Sequence, residues 1–331
     1  MTRDIVVNGR FLSRRITGVE RYGREILRHI GSRCRVKKTR ANGVMGHAWE
    51  QFILPGTLTR ESILWSPANT GPLLVRNQAL TIQDLSALEH PEWFRASFAA
   101  WYRLFLPILA RRVQIVFTPS EYVRQKVTAR FDGVNARAIP SGVNTEVFHP
   151  SARQSVPGLP KRYILFVGSL EPRKNLPVLI RAWNQITPEF PDVALVIAGA
   201  AGNVFRAVKL PQGKANLFFT GRVDAELPAL YANAELFVLP SLDEGFGLPA
   251  LEAMACGAPV IVSNGGALPE VVGDAGLIFD LSQPDTLAQA MQECLTNKNL
   301  RARLIENGLA RVKQFSWQNT ANEIWMTLND L

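Results

Sequence analysis

The sequence predicts an α/β protein of two domains, and three observations carry that expectation. Short apolar runs alternate with amphipathic stretches, the pattern of strands interleaved with helices. The stretch from Glu235 to Val262 holds a strand, a polar glycine-containing turn, a helix and another strand in succession, the repeating unit of an open parallel sheet. The chain has 331 residues, 47% of them hydrophobic, enough to bury two ordinary cores. A Pro-, Ser-, Gly- and Gln-containing break at residues 150–161 interrupts the periodicity between them.

In the first domain, taken as residues 1–150, the apolar run 5–7 reads as the opening strand and 18–27 as the first helix. Residues 63–65, 80–82, 115–117 and 136–139 supply further strands. Residues 91–112 form a long helical stretch that Pro107 is expected to kink or break. Ser120 is placed as the N-cap of a helix running to Phe131. The second domain, residues 151–314, opens with a strand at 163–167 and continues with strands at 193–197, 217–219, 236–239, 260–262 and 277–279. From Asp285 the pattern is helical, and Phe315-Ser-Trp317 introduces a last helix over 315–331.

Composition excludes several classes. No apolar run reaches the roughly 18 residues needed to span a bilayer, and Met1-Thr-Arg-Asp-Ile-Val-Val enters a strand without a signal-peptide pattern. Cys34, Cys256 and Cys294 are too few and too scattered for a disulfide framework or a zinc site. A cytoplasmic protein is expected. Charge is uneven: residues 1–150 hold 22 Lys and Arg against 11 Asp and Glu, a net of +11, and the remainder is near neutral. The basic half points to an anionic partner. Nucleic acid is disfavoured by the lack of any helix-turn-helix, finger or aromatic sheet signature.

The most specific stretch is the turn and helix after residues 236–239. Glu244 lies in the turn, followed by Gly245, Phe246 and Gly247. The helix starts at Leu248, with Pro249 in its first turn, where a missing N–H costs nothing, and Gly257 ends it. Glu252 lies one turn into that helix. Ligands of open parallel sheets bind beyond the carboxyl ends of the strands, and a helix start there suits an anionic or polyhydroxylated ligand. A glutamate pair alone reads equally well as compensation of the helix dipole.

The whole string Glu-Gly-Phe-Gly-Leu-Pro-Ala-Leu-Glu-Ala-Met-Ala-Cys-Gly resembles the signature of the retaining, nucleotide-sugar-dependent glycosyltransferases of family 4 (group 1). The resemblance covers nearly the whole chain, most densely from Arg162 onward. It implies two facing Rossmann-like domains, the GT-B architecture, with residues 315–331 crossing back to the first domain. On the donor side, Glu244 and Glu252 match the paired glutamates of that family, Glu244 toward the transferred sugar and Glu252 toward the ribose hydroxyls. Gly168-Ser-Leu-Glu-Pro-Arg-Lys-Asn175 matches its phosphate-binding motif. Arg173 can grip phosphate oxygens as a fork and Lys174 as a point charge, and two cations at a helix start make sense with an anion between them. Arg222 and Val223 fall in a loop resembling the one that holds the nucleobase. Gly18 resembles the glycine that admits the donor pyrophosphate. No Asp-x-Asp pair occurs, so Arg173, Lys174 and the helix dipole are expected to replace a metal ion, and no cofactor is expected.

On the acceptor side, Gln83 stands where many relatives have a histidine directly before the aspartate. An amide cannot titrate near neutrality but can hydrogen-bond a sugar hydroxyl, so Gln83 is assigned a positioning role. Asp84 is the candidate acceptor-side base, with capping of the following turn an equal alternative. The aromatic and basic stretch Trp93 to Arg112 reads mostly as core, with an edge suited to an anionic membrane.

The resemblance is strongest to bacterial enzymes that add mannose or a related 6-deoxyhexose in surface polysaccharide synthesis. GDP-mannose is therefore the favoured donor, and a glycan or lipid-linked molecule the expected acceptor. Two rivals remain at this point: a sugar-nucleotide epimerase of the same fold, which Gln83 disfavours, and a basic nucleic-acid-binding protein, which leaves the paired glutamates unexplained.

Overall fold

The computed structural model describes residues 3–331 apart from 203, 207–209 and 211–212. The chain divides into two compact units: Met1–Pro91, Ala96–Gly142 and Phe315–Leu331 form the first, Glu92–Arg95 and Val143–Gln314 the second.

The first unit is a six-stranded parallel sheet of β1 (Asp4–Asn8), β2 (Arg35–Lys37), β3 (Ser62–Ser66), β4 (Gln78–Thr81), β5 (Ile115–Thr118) and β6 (Ala136–Ala138), in the order β2-β1-β3-β4-β5-β6. Its central strands β3, β4 and β5 are buried throughout, as strands covered on both faces must be. The covering helices are α1 (Gly18–Ile30), α2 (Gly43–Ala48), α3 (Ser86–Glu89), α4 (Ala96–Arg112) and α5 (Glu121–Arg130). α1 starts where Glu20 reaches back to the Thr17 amide at 3.1 Å, and α5 where the Ser120 hydroxyl accepts from the Val123 amide at 3.2 Å.

Two expectations are corrected here. α4 begins at Ala96 rather than 91 and continues through Pro107 to Arg112. The carbonyl that Pro107 leaves without an amide partner is that of Arg103, a residue exposed on the helix surface. The four residues before α4 belong to the second unit: Phe94 stacks on Phe205 at 5.0 Å, and Arg95 and Arg206 donate backbone hydrogen bonds to Val204 and Trp93 at 2.9 Å each. The boundary also lies earlier than 150. The segment after Gly142 packs on the second unit through buried Phe148 against Tyr231, with Arg153 Nε donating to the Ala232 carbonyl at 3.0 Å.

The second unit is again a six-stranded parallel sheet, of β7 (Tyr163–Val167), β8 (Ala194–Ala198), β9 (Leu217–Gly221), β10 (Leu236–Leu239), β11 (Val260–Ser263) and β12 (Leu277–Phe279), in the order β12-β11-β10-β7-β8-β9. Its helices are α6 (Leu176–Ile186), α7 (Leu227–Asn233), α8 (Leu248–Ala255), α9 (Leu268–Val272), α10 (Thr286–Thr296) and α11 (Lys298–Arg311). The last helix, α12 (Trp317–Asp330), is part of the first unit. Trp317 meets Tyr22 of α1 edge-on at 5.9 Å, and Thr320 Oγ1 donates to the Pro140 carbonyl at 2.6 Å. A side chain at Gly142 would overlap the backbone of Ser316 and Trp317, which explains the glycine.

Each sheet reverses its strand order once, between β1 and β3 in the first unit and between β7 and β10 in the second. Such a reversal splays the outgoing connections to opposite faces and opens a crevice at the carboxyl ends of the two strands. Among the described residues no helix is long and apolar enough to cross a membrane.

Candidate active site

The crevice of the second unit is lined by the connections after β7 and β10, the two segments the sequence singles out. After β7 the chain passes Gly168, turns through a single 3-10 turn at Pro172–Lys174, and enters α6 from Asn175 in the left-handed conformation (φ 52°). The Leu242 amide donates to the Arg173 carbonyl at 2.8 Å and so ties this turn to the one after β10. A Cβ at Gly168 would crowd the Phe166 ring at 3.1 Å and stand in ordinary contact with the Lys174 side chain at 3.5 Å. After β10, Gly247 caps α8 at φ 100°, a conformation that favours glycine.

These turns bring Arg173, Lys174 and Glu244 together. Lys174 Nζ pairs with Glu244 Oε1, Arg173 Nη1 stands 3.4 Å from Oε2, and the Ser241 hydroxyl donates to Oε1 at 2.7 Å. Glu171, fully buried, accepts from Arg173 Nε at 3.0 Å and from the Ser169 hydroxyl at 2.6 Å. Burial pushes the Glu244 carboxyl up, but Lys174 and Arg173 more than offset it and hold it at about 2. Removing one member of so buried a set leaves an uncompensated charge, at a cost of about 3–5 kcal/mol.

A third connection, after β11, completes the floor. Gly266 (φ 67°) lies so close to Glu244 that a Cβ there would overlap the Glu244 backbone, and the Ala267 amide donates to the Glu244 carbonyl at 2.8 Å. A Cβ at Gly265 would stand 2.5 Å from the Ser241 carbonyl. Sequence reasoning passed over Gly265, Gly266 and Glu171. Their signal was present, two glycines and an acid directly beyond apolar strand runs, as at 245–247.

The other donor-side candidates lie on neighbouring elements. Glu252 is buried in α8 and accepts from the Tyr231 hydroxyl at 3.0 Å, a partner the sequence did not reveal. Leu248 and Phe246 flank the α8 start, Phe246 buried and Gly245 beside it. Arg222 is turned toward Asp224, Nε to Oδ2 at 2.9 Å. It shares with Val223 the rim of a hollow of about 490 Å³ that also takes in Phe219 and Gly158.

In the first unit the candidates are more dispersed. Gly18 begins α1 with nothing within 4 Å of a would-be Cβ, so no packing within the unit demands glycine there. Asp84 accepts from the Ser86 amide at 3.0 Å and pairs with its hydroxyl, the turn-capping arrangement. Gln83 receives no such use: its backbone donates to Asn69 Oδ1 at 2.6 Å, and its side-chain Nε2 is buried without a hydrogen-bond partner. The sequence reading missed the strongest feature of this sheet. At the β1/β3 reversal, Arg10 and Glu50 form a buried ion pair at 2.8 Å, joined by Asn8 Nδ2 at 2.7 Å and Thr70 Oγ1 at 3.0 Å. Burial raises the Glu50 carboxyl, but His47 and Arg10 bring it net below its usual range.

A pH signature follows from Glu244. Its folded carboxyl sits at about 2 against an ordinary 4.5, so its contribution to stability is complete above 4.5 and is lost as pH falls through about 2. The unfolding free energy of the native protein should fall more steeply over that window than that of Glu244→Gln, measured by urea titration of tryptophan fluorescence. Equal slopes would remove Glu244 from the ion cluster.

With this geometry in view, the comparisons with known proteins agree with one another. Residues 150–311 match the family described as Glycosyl transferases group 1. The O-antigen chain mannosyltransferase B of Escherichia coli is 31% identical over 269 residues, spanning 76% of this chain and 70% of that protein. The serotype-specific mannosyltransferase WbdA of Escherichia coli is 37% identical over 172 residues, 50% of this chain but 21% of that protein. The crystal structure of Anabaena Alr3699/HepE in complex with UDP and glucose matches with a TM-score of 0.75 at 18% identity over 100% of both chains. Sucrose-phosphate synthase from Thermosynechococcus elongatus matches at 0.77 with 20% identity, over 99% of this chain and 98% of that one. The two solved structures establish the fold, the two-domain α/β architecture that the sequence predicts. Through the family match and the relative aligned over most of its length, the chain belongs to the group 1 glycosyl transferases.

Proposed function

We propose that this glycosyltransferase is a retaining hexosyltransferase. It moves mannose or a related 6-deoxyhexose from a GDP-activated donor to a glycan or lipid-linked acceptor of a surface polysaccharide. The observation that carries the reading is the convergence of Arg173, Lys174 and Glu244 at the β7/β10 reversal, where two cations meet the carboxylate of the glutamate pair. Breaking a sugar–phosphate bond loads negative charge on the leaving diphosphate, and fixed cations in a dry site stabilise it without reorganisation. Arg173 and Lys174 take that part in place of a metal ion. Glu244 orients the sugar and stabilises its developing positive charge. Glu252, held by Tyr231, accepts from the ribose hydroxyls. The leaving phosphate itself helps deprotonate the incoming hydroxyl on the same face, so no covalent enzyme intermediate forms. Gln83, whose side-chain Nε2 has no hydrogen-bond partner among the described residues, is assigned to bond an acceptor hydroxyl, and Asp84, which also accepts from the Ser86 amide, to orient one. The mannosyltransferase names of the Escherichia coli relatives support mannose as the sugar.

We assign the work to the cytoplasmic side of an anionic membrane, met peripherally by the basic first unit. On α4 the aromatics are half-buried and the exposed large hydrophobics are Leu104 and Ile108, with Arg103, Arg111 and Arg112 also exposed, an apolar and basic face of the kind that rests on an interface.

Three outcomes test the reading. In a thermal-shift screen of GDP-, UDP-, dTDP- and ADP-sugars containing excess chelator, GDP-mannose should raise the melting temperature most. Loss of binding or turnover that magnesium or manganese restores would contradict the metal-free site. Glu244→Gln should lower kcat about 100-fold or more with a small change in donor KM, whereas Glu252→Gln should raise donor KM about tenfold. Near-normal kinetics in both folded variants would refute the assignment. The protein should sediment with anionic vesicles at low salt and leave them as salt rises, and Arg111→Glu with Arg112→Glu should weaken that attachment. Indifference to vesicle charge would return the acceptor to a soluble one.

A further inference from the structure

Arg173 and Lys174 carry two carboxylates between them, and the two are held in different ways. Glu171 belongs to the same turn, is wholly buried, is anchored by Ser169 and takes Arg173 through Nε. Glu244 arrives from another connection, meets Arg173 at Nη1 at 3.4 Å, pairs with Lys174, and is otherwise steadied by the Ser241 hydroxyl. Two cations and two carboxylates make the cluster neutral. A diphosphate gripped by the same two cations must therefore compete with a carboxylate already there, and the Glu244 contacts with Arg173 are the longer ones.

We propose that Glu244 is an exchangeable counter-ion: the donor diphosphate displaces it from Lys174 and Arg173, and the released carboxylate turns to the sugar hydroxyls. Glu171 stays in place as the positioning residue of Arg173. The inference rests on the donor-site reading above and goes beyond it in one respect. An intact donor supplies hydroxyl groups that donate hydrogen bonds to the displaced carboxylate. A free nucleoside diphosphate supplies none at that end, so Glu244 is left buried and poorly compensated. The exchange thus favours donor over product and helps expel the diphosphate once the sugar has gone.

The test is isothermal titration of inorganic pyrophosphate and of GDP into the full-length protein and its variants at fixed ionic strength. Glu244→Gln should bind both anions about tenfold more tightly, because their competitor has lost its charge, while its turnover falls. Glu171→Gln should show no tightening, because Glu171 is not the group displaced. Should Glu244→Gln fail to fold, Glu244→Asp decides: the carboxylate withdrawn by one methylene should still tighten pyrophosphate by severalfold. Unchanged or weaker pyrophosphate binding in the folded Glu244 variants overturns the exchange, as does equal tightening in Glu171→Gln. The Arg173→Ala, Lys174→Ala double variant separates this failure from that of the donor site. If it loses pyrophosphate while Glu244→Gln stays flat, the exchange alone falls; if it binds pyrophosphate as the native protein does, the phosphate site is elsewhere.

Discussion

Lys174 and Glu244 are 70 residues apart in the chain and meet because the second sheet reverses its strand order between β7 and β10. That contact depends on everything beneath it. Two strands buried on both faces must pair side by side, their outgoing connections must leave to opposite faces, and both turns must be tight enough to keep charged side chains at the strand ends. Asn175 and Gly247 provide the tightness by taking positive φ at the starts of α6 and α8. The ion cluster in turn makes the crevice polar and holds two cations at the strand ends.

The first sheet repeats the arrangement with different chemistry. Its reversal also gathers a buried cation and carboxylate, Arg10 and Glu50, but it closes them with Asn8, Ser66, Thr70 and Gln78 into a set of neutral hydrogen-bonding groups. A crevice floored by such groups is suited to fixing the shape of the sheet edge, with Gln83 at the end of the neighbouring strand left to offer an amide. The crevice of the second unit thus gathers two cations and two carboxylates, whereas that of the first embeds one ion pair among neutral hydrogen-bonding groups.

Much of this was legible in the sequence, and the exceptions have physical causes. The strands other than β2 were readable, most clearly where parallel strands buried on two faces are continuous apolar runs, as in 163–167 and 236–239. The short, charged edge strand β2 (Arg35–Lys37) was missed because it carries no such run. Arg173, Lys174 and Glu244 were singled out because they follow such runs at strand ends, and Glu252 because it lies one turn into the next helix, within specific strings. Their pairing was not, since a linear motif does not reveal that the cations meet the acid rather than solvent. Tyr231 and Glu171 escaped because a tyrosine in a helix and a glutamate beside a proline are ordinary locally, and only burial gives them a partner. Glu50 escaped for a similar reason. It lies on a segment whose neighbours Phe52 and Ile53 face outward, opposite to the usual apolar-in pattern. Pro107 was expected to kink or break its helix, and α4 runs through it without a break.

The account stands on the claim that the β7/β10 crevice holds the donor diphosphate between Arg173 and Lys174. A crystal structure of the protein with GDP-mannose or GDP tests it most directly. The expected result is diphosphate oxygens about 3 Å from the Arg173 guanidinium and the Lys174 ammonium, with the Glu252 carboxylate on the ribose. A nucleotide bound elsewhere, with the Lys174–Glu244 pair undisturbed and no phosphate contact to either cation, would contradict it.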